Sequence, residues 1–264
     1  MPEGELRELP KLGIDFDGTM VNVIGPFVLW LRSTYPNKFT KAQYLNKNPD
    51  ASDQKQRDYS EVRRVFMTDP KRIPDLSFYR GVLQALPLLK RDFSEIYINS
   101  LRWTDPDPEK DQESSIRGLL RENHSSEYIS GILLRKTRDD RKWEVKLENT
   151  QEFGISYMVE DDSKIALRLA KYLEGIVLIR RPWNKHEPNN PGYDLANREN
   201  LIICRGLWDF AMGVYLAGSV EEFFVEHAEG LKDPVNLYTV YQAPVPAETW
   251  ISLTVSRELV SSSS

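Results

Sequence analysis

The sequence predicts an α/β protein whose core is a parallel β-sheet with helices on both faces. Five short runs are almost continuously apolar, which is typical of strands buried on both sides. These runs comprise residues 12–16, 95–99, 130–134, 155–159 and 175–179. Apolar residues at helical spacing separate them, most clearly Ile165, Ala166 and Leu169 before the fifth run. Alternating strands and helices favour a Rossmann-like, three-layer architecture with right-handed crossovers.

The first run leads into the segment Asp15-Phe16-Asp17-Gly18-Thr19. Residues two apart on a strand share a face, and Gly18 permits a turn, so both carboxylates can point into one crevice. Two acids in one crevice repel each other unless a cation or a shared proton lies between them. This arrangement is typical of Mg²⁺-dependent phosphoryl transfer, in which Asp15 attacks phosphorus and Asp17 transfers protons. The alternative interpretation is an ordinary Asp-Gly turn after a strand.

The same segment resembles the signature of the haloacid dehalogenase superfamily, and the resemblance extends over residues 11–215. It implies a phosphate loop shaped by Gly18 and Thr19. It also implies that Asp17 indicates a reaction on phosphate esters and not on carbon–halogen bonds, because the family's carbon–halogen hydrolases lack an acid at that position. When a carbon–halogen bond is hydrolysed, no leaving oxygen needs a proton.

The resemblance implies three further positions, in the order in which they occur along this chain. Ser100, after the second strand, would hydrogen-bond a phosphoryl oxygen. Lys146, upstream of the fourth strand, would neutralise charge between Asp15 and the phosphoryl group, with Lys142 one turn earlier as the rival. Asp161, after the fourth strand, would bind the metal.

The cofactor that the resemblance implies is Mg²⁺, held by the carboxylates of Asp15 and Asp161 and by the backbone carbonyl of Asp17. Glu160 and Asp162 flank Asp161. One of the two could hold a metal-bound water, and an N-cap role for Asp162 is an equal alternative, because a helical pattern starts directly after it.

Residues 20–78 interrupt the alternation of strands and helices and are too long for a plain loop. In the family this is the position of a small helical cap over the active site. Phe27 and Trp30, on the first helix of this insert, either line a substrate pocket or form the interior of the cap itself.

A narrower resemblance concerns the segment Arg180-Arg181-Pro182-Trp183-Asn184 after the fifth strand. Together with the acids at residues 160–162, it is similar to the C-type 5'-nucleotidase-like proteins related to cytosolic 5'(3')-deoxyribonucleotidases. That likeness implies a small phosphorylated substrate, a nucleoside monophosphate, on which aromatic residues of the cap could stack. A sugar phosphate or a nucleic-acid end remains an alternative substrate, and a non-catalytic binding or assembly protein remains an alternative function. The sequence does not name the leaving group.

The predicted domains are a core of residues 1–19 and 79–217, the cap of residues 20–78, and a C-terminal extension of residues 218–264. In the extension, residues 220–228 favour a helix, and residues 235–241 and 249–255 alternate like the strands of a hairpin. The hairpin would pack on the core or join copies of the chain into a homo-oligomer. The serines at 261–264 are expected to be disordered.

Composition excludes several functional classes. The chain has 264 residues and a net charge of -5, which argues against a dedicated nucleic-acid-binding protein. Its single cysteine, Cys204, cannot form an intramolecular disulfide and is expected to pack as a small apolar residue. No apolar run is long enough to cross a membrane, so a cytoplasmic location is expected. The three histidines, His124, His186 and His227, lie in unlike segments and have no metal-ligand spacing.

Overall fold

Six parallel strands form the central sheet in the computed structural model, which describes residues 8–36, 54–104, 107, 111–135, 142–181, 184 and 200–230. The strands are β1 (Lys11–Ile14), β4 (Glu95–Trp103), β5 (Gly131–Arg135), β6 (Tyr157–Glu160), β7 (Gly175–Ile179) and β8 (Leu201–Cys204). Their spatial order is β5-β4-β1-β6-β7-β8, and every neighbouring pair is parallel. The predicted parallel α/β fold is therefore confirmed.

Register brings the carboxyl ends of the central strands together. Ile14, the last residue of β1, pairs with Ile98 on β4 and with Val159 on β6. The ladder continues for one more residue, because the amide of Asp15 donates to the Val159 carbonyl at 2.9 Å. Side chains that follow β1 and β6 consequently meet at one edge of the sheet, where ligands bind in open α/β folds.

Eight helices are described: α1 (Ile24–Thr34), α2 (Gln54–Thr68), α3 (Val82–Asp92), α4 (Gln112–Glu122), α5 (Lys142–Phe153), α6 (Ser163–Leu169), α7 (Leu207–Ala217) and α8 (Val220–Gly230). In these segments, no helix combines the length and the apolar character that a membrane span requires.

The helices cover both faces of the sheet, as the alternation along β7 demonstrates. Val177 and Ile179 belong to the large apolar core that includes residues of α3, α4, α7 and α8. Ile176 and Leu178 belong to a second core, with Ile165 and other residues of α6. Successive strand residues point to opposite faces, so the two cores lie on the two sides of the sheet. This burial on both faces explains why the strands are almost continuously apolar in sequence.

Two details of the sheet differ from the sequence-based expectation. The run Leu201–Cys204 is a sixth strand, whereas we expected only a packed apolar segment. Cys204 is buried there as expected, and burial raises the pKa of its thiol. The second predicted strand, β4, continues to Trp103, so Ser100 lies inside the strand and not at its tip. The pairing of β4 with β5 shifts register between Asn99 and Trp103, and Ser100 falls at this irregularity.

The insert of residues 20–78 contains α1, α2, a short 3₁₀ helix (Pro70–Arg72) and two short strands, β2 (Val21–Asn22) and β3 (Ser77–Phe78), which pair antiparallel. The sequence did not predict this two-stranded ribbon, because each strand has only two residues. The division into core, cap and extension remains a proposal. Residues 37–53, the predicted hairpin at 235–255 and the tail at 261–264 lie outside the described residues.

The side chain of Phe27 packs in the interior of the insert. Its side chain is only 1% exposed, and its ring packs against Tyr59 and Phe66 at centroid distances of 5.6 and 5.3 Å. Trp30 is half-buried beside it, with Phe66 at 5.4 Å and the Arg72 guanidinium over its ring at 5.7 Å. For Phe27, these contacts favour an interior role over the pocket role that we considered. For Trp30, the contacts favour an interior role over base stacking.

Truncation of Phe27 should destabilise the fold. Phe27→Ala removes a buried ring, so we expect a loss of about 3–5 kcal/mol in the free energy of unfolding, measured by denaturant titration. Leu29→Ala is the matched control on the same helix, because Leu29 is 70% exposed. That control should change stability by no more than about 0.5 kcal/mol. Equally small effects of both substitutions would contradict the interior position of Phe27.

Candidate active site

Asp15 stands at the end of β1, where the chain makes a tight reversal before β2. The amides of Met20 and Val21 both donate to the Phe16 carbonyl, and the Gly18 amide donates to the Val21 carbonyl. Gly18 has a φ of 88°, a left-handed conformation that a side chain would disfavour. This reversal leaves the Asp15 carboxylate buried, with the hydroxyl of Thr19 3.5 Å from its Oδ2. The sequence-predicted loop residues Gly18 and Thr19 thus define the backbone around Asp15.

Lys146 reaches the same point from α5. Its Nζ donates to Asp15 Oδ1 at 2.7 Å and to Glu160 Oε2 at 2.5 Å, and its side chain is only 1% exposed. Burial opposes the positive charge, but the two carboxylates outweigh it and raise the pKa of the Lys146 ammonium. The buried Asn99 side chain anchors this turn of the helix by donating to the Lys146 carbonyl at 3.1 Å. Of the two candidate lysines, Lys146 is the one seen at Asp15; the side chain of Lys142 lies outside the described residues.

The acids after β6 have separate structural positions. Glu160 Oε1 accepts the amides of Asp161 and Asp162 at 3.0 and 3.1 Å, which fixes the turn after the strand. Asp162 caps α6, because its Oδ1 accepts the amides of Lys164 and Ile165 at 3.0 and 3.3 Å. Its side chain is therefore in the N-cap position that the sequence left open as an alternative.

Asp161 is buried, and a residue that follows β7 hydrogen-bonds to its backbone carbonyl. Asn184 donates to the carbonyls of Asp161 and Ile179 at 3.0 and 2.8 Å, and its side-chain oxygen accepts the Arg181 amide at 2.7 Å. The asparagine of the Arg-Pro-Trp-Asn segment thus joins the ends of β6 and β7.

Three buried carboxylates lie close together at this edge. Asp15, Glu160 and Asp161 each offer an oxygen within 4.8 Å of the others. Burial raises the pKa of Asp15 well above its ordinary value; Lys146 opposes this shift, and Glu160, Asp161 and Asp17 add to it. Burial likewise raises the pKa of Glu160. Lys146 contacts two of these carboxylates, and Arg181 interacts electrostatically with the third, Asp161. A bound cation would further reduce the mutual repulsion of the three acids.

The donor set fits a hard divalent cation, because all the donors are oxygens. Both oxygens of Glu160 already accept hydrogen bonds, from Lys146 and from the backbone of the turn. Glu160 therefore fits the role of orienting Lys146.

Asp17 does not join this cluster and instead forms an ion pair with Arg102. The Arg102 Nε and Nη2 atoms donate to Asp17 Oδ2 and Oδ1, each at 2.8 Å. Arg102 also donates its amide to the hydroxyl oxygen of Ser100 at 3.3 Å. The predicted residues Asp17 and Ser100 are thus linked through an arginine that sequence reasoning missed. A signal was present, because Arg102 stands two residues beyond Ser100 on the same strand and can share its face.

Arg181 is a second residue that sequence reasoning left without a role. Its Nε donates to the Gly18 carbonyl at 2.6 Å, and its Nη2 donates to the Thr19 carbonyl at 3.3 Å. Its guanidinium lies 3.7 Å from the ring centroid of Tyr79. The pKa of the Tyr79 hydroxyl is raised, chiefly by burial. Arg181, which follows β7, therefore stabilises the loop that carries Asp17.

Comparison with known proteins identifies similar solved structures only. No protein-family model and no curated protein matches the chain. CbbY from Rhodobacter sphaeroides, in complex with phosphate, is 13% identical, with a TM-score of 0.49 over 82% of this chain and 99% of that one. A HAD-superfamily hydrolase from Ehrlichia chaffeensis is 10% identical, with a TM-score of 0.49 over 80% and 98%. L-2-haloacid dehalogenase from Xanthobacter autotrophicus is 10% identical, with a TM-score of 0.46 over 78% and 98%. At this level of likeness, the reaction has to be derived from the side chains of the site.

The stabilisation that Mg²⁺ provides should grow with pH. The pKa values of Asp15 and Glu160 are raised in the folded protein, so the metal-free fold retains protons that the unfolded chain has released. Its stability should therefore fall as pH rises above the ordinary carboxyl range, while a cation that displaces those protons binds more tightly. We expect Mg²⁺ to raise the melting temperature more at about pH 8 than at about pH 5.

The control for this measurement is Asp161→Asn, which removes a proposed ligand charge and should abolish most of the Mg²⁺-dependent shift at the higher pH. A shift that is independent of pH, or that survives in Asp161→Asn, would place the cation elsewhere.

Proposed function

We propose that the protein is a Mg²⁺-dependent phosphomonoester hydrolase that works through an aspartyl-phosphate on Asp15. The observation that carries the proposal is the contact between the buried Lys146 ammonium and the Asp15 carboxylate, beside Asp161 at the carboxyl edge of the sheet. A carboxylate held in one orientation by an ammonium can attack, and the same ammonium can offset charge on an arriving phosphoryl group.

In the first half of the reaction, a carboxylate oxygen of Asp15 forms a bond to phosphorus as the bond from phosphorus to the leaving oxygen breaks. In its protonated form, Asp17 gives a proton to that leaving oxygen, which departs as an alcohol. Ser100 accepts the Arg102 amide, which leaves its hydroxyl hydrogen for a phosphoryl oxygen. Bound Mg²⁺, held by Asp15, Asp161 and the Asp17 carbonyl, would supply further neutralisation of the phosphoryl charge.

In the second half, water attacks phosphorus and the Asp15–phosphorus bond breaks, which releases inorganic phosphate and restores the carboxylate. Asp17 takes the proton from the attacking water and is ready for the next substrate. Lys146 remains charged throughout, because Glu160 also accepts a hydrogen bond from its ammonium. Each of these roles uses a side chain whose position is fixed by a second contact.

For the substrate, we propose a nucleoside monophosphate, on the likeness of the segment that ends in Asn184 to C-type 5'-nucleotidases. Stacking of the base on Phe27 is no longer part of this proposal, since that ring is buried against Tyr59 and Phe66. A sugar phosphate remains the second candidate substrate.

A turnover screen with a nucleophile variant tests the reaction. Nucleoside monophosphates, sugar phosphates and an aryl phosphate should be hydrolysed with Mg²⁺ and not in excess chelator. Asp15→Asn keeps the shape of the side chain but removes the attacking charge, so kcat should fall by at least about 10³-fold.

The matched control for that variant is Asp162→Asn, one residue beyond Asp161. Asparagine caps helices as well as aspartate does, so this variant should keep both its activity and its melting temperature. Full activity of Asp15→Asn, or full activity in chelator, would contradict the proposed mechanism. Absence of turnover on every phosphate would favour a binding or assembly role.

A further inference from the structure

Arg102 stands out among the residues around the site because one buried guanidinium connects three separate segments. Its side chain, only 4% exposed, belongs to β4 and pairs through two hydrogen bonds with Asp17 in the loop after β1. Its third nitrogen, Nη1, donates to the carbonyl of Met67 at 3.1 Å, in the last turn of α2. The guanidinium also lies 5.6 Å from the ring centroid of Phe16.

We propose that Arg102 is a positioning residue that orients the Asp17 carboxylate for proton transfer. The proposal rests on the phosphomonoester hydrolase function proposed above. It deepens that function, because it explains how a loop side chain is kept in one orientation beside the leaving oxygen.

Bidentate geometry is the physical basis of the proposal. Two parallel N–H···O contacts at 2.8 Å fix both the position and the plane of the Asp17 carboxylate, which one contact could not do. Asp17 keeps 20% of its side chain exposed, whereas Arg102 is only 4% exposed, so the more deeply buried guanidinium holds the carboxylate. A lysine at residue 102 would keep the charge but lose the planar fork.

A purely structural role for Arg102 is the competing explanation, and the test must distinguish it from the positioning role. Helices end with carbonyls that lack a partner within the helix, and the Met67 carbonyl is one of them. Arg102 could therefore serve only to close the end of α2. Gln112, the first residue of α4, donates to the same carbonyl at 3.1 Å and accepts the Trp103 amide at 3.3 Å. Neither of these hydrogen bonds involves Asp17, so Gln112 is the control for this structural role.

The discriminating measurement is the dependence of the rate on the leaving group. An alkyl phosphate needs a proton on its leaving oxygen as the oxygen–phosphorus bond breaks, whereas a dinitrophenolate leaves as a stable anion without one. Loss of a positioned general acid should therefore slow hydrolysis of the alkyl phosphate. It should not slow transfer of the phosphoryl group from dinitrophenyl phosphate to Asp15. Hydrolysis of the aspartyl-phosphate still needs Asp17 as a base, so the phosphoryl-enzyme should then accumulate.

In the full-length protein with Mg²⁺, Arg102→Met should lower kcat for glycerol phosphate by about 100-fold, within the range of general acid–base effects. The first turnover of dinitrophenyl phosphate should slow by less than about threefold and appear as a burst of dinitrophenolate, because the acid is not needed in that step. Asp17→Asn should give the same pattern. Gln112→Met should leave the ratio of the two rates unchanged, even if it lowers the melting temperature.

Several outcomes would overturn the proposal. If Arg102→Met lowers the rates on both substrates equally, or if Gln112→Met shows the same selective loss of rate, Arg102 serves only to stabilise the end of α2. Either result would leave the proposed hydrolase function intact. If Arg102→Met does not fold, Arg102→Lys carries the same test, and the selective loss should be about tenfold because one contact remains. A wild-type protein that hydrolyses neither of these two phosphates nor any phosphate of the turnover screen would overturn the hydrolase function, and this proposal with it.

Discussion

The buried ammonium of Lys146 is the interaction on which the rest of the site depends. Carboxylates such as Asp15 and Glu160 are costly to bury, and a single lysine contacts both of them. The backbone of this lysine is held as well, because the buried Asn99 side chain on β4 donates a hydrogen bond to the Lys146 carbonyl. Removal of one partner from a buried ion pair typically costs about 3–5 kcal/mol, because the remaining charge is left uncompensated. The central strands, α5 and the turn after β6 are therefore tied to one another through charge as well as through apolar packing.

The charged side chains divide into two systems with different roles. In the first, Lys146 lies beside Asp15 and Glu160, and these two acids and Asp161 offer oxygen ligands that could hold a cation. In the second, Arg102 and Asp17 form an ion pair. This difference in partners places Asp15 and Asp17 in different environments, although they are two residues apart in sequence. Differences of environment of this kind allow two carboxyl groups to take different chemical roles.

Periodicity and residue type were sufficient to predict the central sheet and the acids at its edge. A strand that is apolar at every residue has to be buried on both faces, so the five runs and their intervening helices determine a parallel sheet. Asp15 and Asp161 then follow from their position after two of those strands. The contact of Lys146 with Asp15 was expected from a family resemblance, and the sequence alone could not separate it from Lys142.

Features that depend on tertiary packing were not predictable in this way. The run Leu201–Cys204 has only four residues, and nothing local distinguishes a short edge strand from a packed loop. Phe27 has the spacing of an amphipathic helix, but that spacing does not reveal whether the apolar face meets a partner helix or a substrate. Arg102 was missed because its partners, Asp17 and Met67, are 85 and 35 residues away in sequence.

The central claim is that the phosphoryl group passes through a covalent bond to Asp15, and chemical trapping tests it most directly. Borohydride reduces an acyl phosphate to an alcohol, so an aspartyl-phosphate becomes homoserine at that position while free carboxylates are untouched. The protein should be mixed with Mg²⁺ and a hydrolysed phosphomonoester, treated with borohydride and digested for peptide mass spectrometry. The account predicts homoserine at position 15 and only when substrate is present. Continued turnover with no reduction at position 15, or with reduction at Asp17 or Asp161 instead, would contradict it.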